Sequence, residues 1–205
     1  MEKPTDSSRG EKRKCEGEEQ ADKEPSWVQS KCSEADLQEL VEKYLLQPKS
    51  VIHWRSALGE VVPIARNSKT ILFTSFVKHR LALPASDFLQ GLLYYYGIQI
   101  HHLTPESVLH ITIFVHFCEA FLGIKPHFEL FRSLYTLTPL PSTQEIGRIG
   151  CANLPLRPDM VNKYLEWPAI HVSLEWKKDW FYIGSHIPLC PSSLLSLLCI
   201  FTSGF

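Results

Sequence analysis

The chain has 205 residues, of which 44% are hydrophobic and 21% charged, a balance that favours one globular domain with tails. Its formal net charge is -1 at pH 7, so no overall basic field draws it towards nucleic acid or an anionic membrane. The six cysteines lack regular spacing and no secretory leader pattern opens the chain, which predicts an intracellular protein with reduced thiols.

The first 26 residues are predicted to form a disordered charged tail. Lys, Glu, Ser, Gly and Asp dominate residues 1–26, and no branched aliphatic or aromatic residue lies between Met1 and Ala21. The basic run Lys12–Lys14 is compatible with a nuclear localisation signal, but its acidic neighbours favour a solvated tail instead.

The first helix is predicted to begin after Ser33, with Asp36 three residues later completing a variant of the capping box. Pro48 is predicted to stop it. The apolar face follows helical spacing and consists of Leu37, Leu40, Val41, Tyr44 and Leu45.

Two further elements precede the middle of the chain. Ile71–Phe76 is short and apolar, and is predicted to be either a strand or the first turn of a helix. Ser86 is predicted to cap a helix that Gly97 ends in the left-handed conformation. Its apolar stripe is Phe88, Leu89, Leu92, Leu93 and Tyr96.

A central helix is predicted between Thr104, the N-cap, and Gly123, with Pro105 in the first turn. It spans about 18 residues, or roughly 27 Å. Almost no polar face remains, which predicts burial by neighbours on several sides. Polar residues such as His116 and Glu119 interrupt it too often for a membrane span. After Pro126 a short helix is predicted, with Phe128, Phe131 and Leu134 on its apolar face.

The remainder is predicted to be a proline-rich loop from Pro139 to Pro168, followed by a β-hairpin at about residues 170–183 that turns at Lys177–Asp179. The predicted fold is therefore mainly α with a small β-hairpin, an α+β class. Its compact helical core, residues 81–135, surrounds the buried central helix. Residues 186–205 form a chargeless apolar tail that the sequence places outside the domain.

Several strings in the chain carry a family resemblance. They include GLLYYYGIQIHHL and FCEAFLGIKPHFELF within Leu81–Tyr135, the flank LVEKYLLQPK with Trp54-Arg55, and the stretch Trp176–Ile183. Over about residues 32–185 the chain closely resembles a plant family described as a putative gypsy type transposon domain. Members usually carry GFGLP where this chain has Arg80–Pro84, so both glycines are lost. The resemblance implies a retrotransposon-derived protein and names no chemistry.

Metal and nucleotide motifs were weighed against ordinary structural roles. A metal site would centre on His101, His102, His116, Cys118 and His127. No pair of these has the i, i+4 helical spacing of a metal site and no C-x-x-C accompanies them, so rings that cap loops or bond within the core are favoured. Cys118 falls on an apolar helical face and is predicted to act as a small core hydrophobe.

The run Gly147–Gly150 has the form of the GXXG loop that clamps nucleotide backbones. It lies in a proline-rich loop without flanking helices, so a plain turn is favoured.

The sequence lacks the motifs of the enzymes that a gypsy-type element encodes. There is no D-[ST]-G of a protease, no Y-x-D-D of a reverse transcriptase and no zinc knuckle, and no G-x-S-x-G marks a hydrolase. Integrase and ribonuclease H need several carboxylates on two metals, and the acids here sit at helix starts or polar edges. We therefore predict no catalytic, cofactor-binding or metal-binding residue and no cofactor.

Two functional hypotheses remain, with an unassigned enzyme as a third. The leading one is a non-catalytic structural or protein-interaction module that binds a protein partner or itself, without a membrane. The alternative is a nucleic-acid-binding module, although residues 33–185 carry 14 Lys/Arg against 14 Asp/Glu. Aromatic stacking would then replace charge, on Trp176, Trp180, Phe181 and Tyr182 of the predicted hairpin.

Overall fold

A computed structural model describes residues 27–64, 69–139, 149–165 and 174–184. The predicted tails, residues 1–26 and 186–205, lie outside the described residues. The helices are α1 Glu34–Glu42, α2 Lys49–Ile52, α3 Thr74–Lys78, α4 Asp87–Tyr96, α5 Pro105–His116, which continues as a π-helical segment over Phe117–Leu122, and α6 Phe128–Leu134. The strands are β1 Arg55–Ser56, β2 Lys69–Phe73, β3 Thr138–Pro139, β4 Ala152–Asn153 and β5 Trp180–Gly184. Short 3-10 helices cover Ile100–His102, Pro158–Met160 and Leu174–Lys178.

The predicted capping box at the start of α1 is confirmed. The Ser33 hydroxyl accepts a hydrogen bond from the Asp36 amide at 3.2 Å, and the Asp36 carboxylate accepts one from the Ser33 amide at 2.8 Å. The prediction was wrong for Tyr44, which is 93% exposed. The helix ends at Glu42, before the turn that would have placed Tyr44 over Leu40, and Tyr44 takes a φ of 56°.

A three-stranded antiparallel sheet has the order β1-β5-β2. Ile71 of β2 lies opposite Tyr182 of β5, and Arg55 of β1 lies opposite the same residue on the other side. Of the predicted hairpin at about residues 170–183, residues 170–173 lie outside the described residues. The prediction was wrong for the rest, because its second arm is a strand that pairs with β1 and β2, more than a hundred residues earlier in the chain, and Leu174 belongs to a 3-10 helix.

The two alternatives predicted for Ile71–Phe76, a strand and the first turn of a helix, are each confirmed in part, because strand β2 passes directly into helix α3 at Thr74. In the segment where the family has glycines, Arg80 takes the left-handed conformation with a φ of 66° and the Leu83–Pro84 peptide is cis. Helix α4 begins at the Ser86 cap and ends at Gly97, whose φ is 63°, as predicted.

The central helix is confirmed at both ends. The Thr104 hydroxyl accepts from the Ser107 amide at 3.1 Å, and Gly123 closes the helix with a φ of 63°. Phe114 and Cys118 are fully buried. The predicted burial along the whole length was wrong, because the last turn projects from the core and exposes Phe121 and Leu122.

The core joins the helical half to the sheet. Phe114 of α5 packs against Phe88 of α4 and Phe131 of α6, with ring centroids 5.3 Å and 5.1 Å apart. Burial of the α6 residues Phe131 and Leu134 confirms the predicted apolar face there. Fully buried aromatic rings of the sheet side include Phe73, Trp180 and Tyr182.

Candidate interaction surface

The outer end of the central helix carries large apolar side chains into solvent. Phe121 is 73% exposed, Leu122 48% and Ile124 44%. We call Phe117, Phe121, Leu122 and Ile124 the Phe121 patch. It follows the buried part of the same helix without a break, because α5 passes into the π-helical segment at Phe117.

The π-helical geometry explains why the apolar run leaves the core at this point. Such a segment bonds each amide to the carbonyl five residues earlier, which widens the helix and changes the angular position of every later side chain. The Gly123 amide donates to the Cys118 carbonyl, and the Ile124 amide donates to the same oxygen at 3.0 Å. Cys118 therefore points into the core, while Phe121 and Leu122, three and four residues later, do not.

The rings of the Phe121 patch are held in place by one another. Phe117 and Phe121 stack at 5.9 Å, and the His116 ring meets Phe121 edge-on at 5.8 Å. Tyr164 contacts the other side of Phe117 at 5.6 Å. Side chains ordered in this way lose little conformational freedom when a partner covers them.

Two charges of opposite sign border the Phe121 patch. Glu119 precedes it and Lys125 follows it, and both are exposed. Neither forms an ion pair with any residue in the described ranges. A partner can therefore pair with both of them without breaking an existing contact.

A second exposed cluster lies where α4 meets α6. Tyr95 is 52% exposed and its ring centroid lies 4.3 Å from that of Phe128. The Arg132 guanidinium lies 5.3 Å from the Tyr95 ring and 5.7 Å from the Phe128 ring. We call Tyr95, Phe128 and Arg132 the tyrosine–arginine cluster. A planar cation over two aromatic rings can stack on a flat ligand or bind an anionic one.

A cleft of about 300 Å³ separates α1 from α3 and the start of β5. Carboxylates of Asp36 and Asp179, the Lys78 ammonium and the Cys32 thiol line it. Burial raises the pKa of the Cys32 thiol to about 12, and burial also raises the pKa of Asp179. Because the thiolate is the nucleophilic form, Cys32 is inert at neutral pH.

The histidines proposed as metal ligands have other roles. His101 and His102 lie edge to face at 4.4 Å, and the His102 ring nitrogen Nδ1 accepts from the Gln99 amide at 3.1 Å. Burial lowers the pKa of His101 to about 4, so it is neutral at pH 7. The candidates His116 and His127 are exposed and Cys118 is buried. In the ranges that the structure describes, no three His, Cys, Asp or Glu residues are placed to hold a metal ion.

The aromatic residues predicted as a stacking platform for nucleic acid are buried, so this prediction was wrong. Trp180, Phe181 and Tyr182 are buried in the middle strand of the sheet, and Trp176 packs between Phe73 and Phe76. The Trp180 indole donates to the Val28 carbonyl at 2.8 Å. This burial was not predicted, because the strands that place Trp180–Gly184 in the middle of the sheet lie far away in the chain.

Two further predictions concern the GXXG run and membrane spans. Of the GXXG run, Gly147 and Arg148 lie outside the described residues, while Ile149 is buried and Gly150 packs against Trp176. Among the described helices, none combines the length and the apolar character that a membrane crossing requires.

Residues 71–139 match the model of a family described as putative gypsy type transposon. The matched segment runs from β2 to β3 and contains both the Phe121 patch and the tyrosine–arginine cluster. It is narrower than the resemblance over residues 32–185. No curated protein and no protein of solved structure matches the chain.

Proposed function

We propose that this chain, whose residues 71–139 match the putative gypsy type transposon family, is a non-catalytic protein-interaction module that binds through the Phe121 patch. The observation that carries the proposal is the outward turn of an otherwise buried helix, which places Phe121, Leu122 and Ile124 together in water.

The energetics favour a partner on this surface. Removing apolar area from water stabilises a contact by about 25 cal/mol per Å². Isolated exposed apolar residues are ordinary, whereas the largest contiguous apolar patch of a typical monomer, about 300–600 Å², is often functional. The exposed fractions of the three side chains bring the Phe121 patch to about that size. The Phe121 ring is stacked on the Phe117 ring before binding, which lowers the entropic cost of the contact.

The non-catalytic part of the proposal is supported by the chemistry of the cleft beside α1, which gathers several ionisable groups. Its thiol, Cys32, has a raised pKa and is not a nucleophile at neutral pH. No histidine lines the cleft to act as a general base beside Asp36 or Asp179.

The proposal includes an intracellular location. Its support is that Cys32, Cys118 and Cys151, the cysteines within the described ranges, form no disulfide with one another.

Nucleic-acid binding remains the second candidate, on a different surface from the one predicted. The tyrosine–arginine cluster is exposed and combines two rings with a guanidinium, which suits stacking against a single-stranded base. The Arg132 charge is shared with Glu129, whose carboxylate lies 3.5 Å away. We therefore expect affinity for single-stranded or duplex oligonucleotides no tighter than about 10⁻⁴ M at physiological salt.

Site-specific photo-crosslinking tests the protein-interaction proposal. The photoreactive residue p-benzoylphenylalanine replaces Phe121 in the full chain expressed in cells, and Tyr44, which is exposed just after the end of α1, is the matched control position. We expect a crosslinked protein from position 121 and none from position 44, with the contacted peptide identified by mass spectrometry. Crosslinks from neither position, or equally from both, contradict the proposal.

An anisotropy titration of labelled oligonucleotides at two salt concentrations tests the alternative. Micromolar, salt-sensitive binding that is lost in both Tyr95→Ala and Arg132→Ala would replace the protein-interaction proposal with the nucleic-acid one. The control is Phe121→Ala, which lies outside the tyrosine–arginine cluster and leaves such binding unchanged.

A further inference from the structure

We infer that the partner of the Phe121 patch is a second copy of this chain, bound in a two-fold symmetric contact. The inference rests on the proposed function and names its partner. It requires that the surface be complementary to itself, because in a two-fold contact the same residues face each other from both copies.

The charges around the Phe121 patch have this self-complementary arrangement. Glu119 and Lys125 border the apolar residues on opposite sides along the chain, and both are exposed and unpaired in the described ranges. When two patches meet in opposite directions, Glu119 of each copy faces Lys125 of the other. A parallel orientation would instead oppose equal charges, so the charges favour the antiparallel form of the two-fold contact.

The net charge of the chain permits the contact. At -1, two copies do not repel each other appreciably at physiological salt. A patch bordered by charges of one sign would instead have favoured a partner of opposite charge.

The size of the patch sets the strength of the dimer. Stable interfaces bury about 800 Å² per partner, whereas the Phe121 patch offers an apolar area of about 300 Å². We therefore expect a reversible dimer that dissociates in the range of about 10–500 µM rather than an obligate one.

Sedimentation velocity of the full-length chain, from about 5 µM to about 500 µM, measures the association. The wild-type protein is expected to shift from monomer towards dimer over this range. Phe121→Ser is expected to weaken association at least about tenfold, because it removes the most exposed ring of the Phe121 patch. Tyr44→Ser, which removes an even more exposed ring elsewhere, is expected to leave it unchanged.

Charge reversal tests the orientation. In the dimer, each of the single substitutions Glu119→Lys and Lys125→Glu turns both pairs of opposite charges into pairs of like charges. Each is expected to weaken association about tenfold or more. The double variant restores opposite charges and is expected to associate within about threefold of wild type. Circular dichroism and thermal melting verify that each variant is folded, which is expected because both side chains are exposed.

The outcomes separate the two proposals. A chain that stays monomeric throughout the range overturns the second-copy inference, whereas a crosslink from position 121 to a different protein would still support the interaction module. A dimer that is indifferent to Phe121→Ser, or a double variant that is weaker than both single ones, also overturns the inference.

Discussion

Replacing Gly150 by alanine tests the packing of the backbone at Gly150 against the Trp176 ring. An added Cβ would lie 2.7 Å from Cζ2 and 3.0 Å from Cη2 of Trp176. The Trp176 ring cannot move away easily, because it meets Phe73 edge-on at 4.8 Å and lies 5.7 Å from Phe76. The backbone is held too, since the Gly150 amide donates to the His101 carbonyl at 3.0 Å.

Two other glycines separate steric overlap from backbone strain. Gly150 has a φ of +65°, and Gly97 and Gly123 each have a φ of +63°. Forcing a side chain into this left-handed conformation costs about 1–2 kcal/mol at any of the three positions. At Gly97 and Gly123 an added Cβ meets no atom within 4 Å, so strain is the whole cost there. Overlap with Trp176 adds about 1–3 kcal/mol at Gly150. We expect Gly150→Ala to lower the free energy of unfolding by about 2–5 kcal/mol.

Urea denaturation followed by tryptophan fluorescence measures the three variants under the same conditions. The comparison uses the midpoint at an unchanged m value. Trp176→Leu removes the two ring atoms that the new Cβ would meet, so the cost of Gly150→Ala should shrink towards that of Gly97→Ala in this background. Equal losses at all three glycines, or a cost at Gly150 that persists without the indole, would refute the packing argument.

Three further predictions use single substitutions. Phe114→Ala should lower the free energy of unfolding by about 3–5 kcal/mol because the ring is fully buried. Phe121→Ala on the same helix should change it by no more than about 0.5 kcal/mol relative to wild type. Chemical denaturation of both variants tests whether the core and the Phe121 patch are energetically separate. Arg80→Gly should raise the melting temperature, since glycine removes about 1 kcal/mol of left-handed strain at a φ of 66°, and a lower melting temperature would show that the Arg80 side chain contributes more than its strain costs. The pKa of His101 is lowered to about 4, so the unfolded chain binds a proton before the folded one does as pH falls. Stability should therefore be lost between about pH 7 and pH 4. His101→Phe should reduce this pH dependence, as measured by urea titrations at pH 7, 5 and 4.

The helix ends were predictable because capping is local chemistry. Ser33 with Asp36, and Thr104 before Pro105, satisfy free amides within three residues, and Gly123 supplies a conformation that few other residues adopt easily. None of these contacts depends on how the rest of the chain folds. Arg80 is the counterexample, since the backbone is left-handed there although the sequence shows no glycine.

Strand pairing could not be predicted, because it joins residues that are far apart in the chain. The apolar run Trp180–Ile183 predicts a strand, but it is compatible both with pairing to a neighbouring arm and with pairing to β1 and β2. The hairpin was the shortest connection compatible with the pattern. It also led to the wrong expectation that Trp180 would be exposed, since a strand in the middle of a covered sheet leaves no ring in solvent.

The Phe121 patch could not be predicted from the sequence for a related reason. Apolar content in a helix predicts burial, but it does not say whether the covering surface belongs to the same chain. Phe114 and Phe121 belong to the same apolar pattern in the sequence. Phe114 is buried and Phe121 is exposed because the π-helical segment Phe117–Leu122 changes the direction of the later side chains. We found no sequence signal for that segment, so the patch became apparent only from the structure.

Folding and the proposed partner binding depend on opposite ends of the central helix. At its first turn the buried Ser107 hydroxyl accepts from the Leu154 amide at 3.0 Å, and one turn later the His110 ring contacts the Leu154 carbonyl at 2.8 Å. These bonds fix the helix to the rest of the fold, while the π-helical end leaves the core with its rings already ordered. A rigid helix anchored at one end holds Phe121 in a fixed position without using it for stability. This separation explains how a large apolar patch can persist on a folded monomer, and it makes the contact surface open to substitution without loss of the fold.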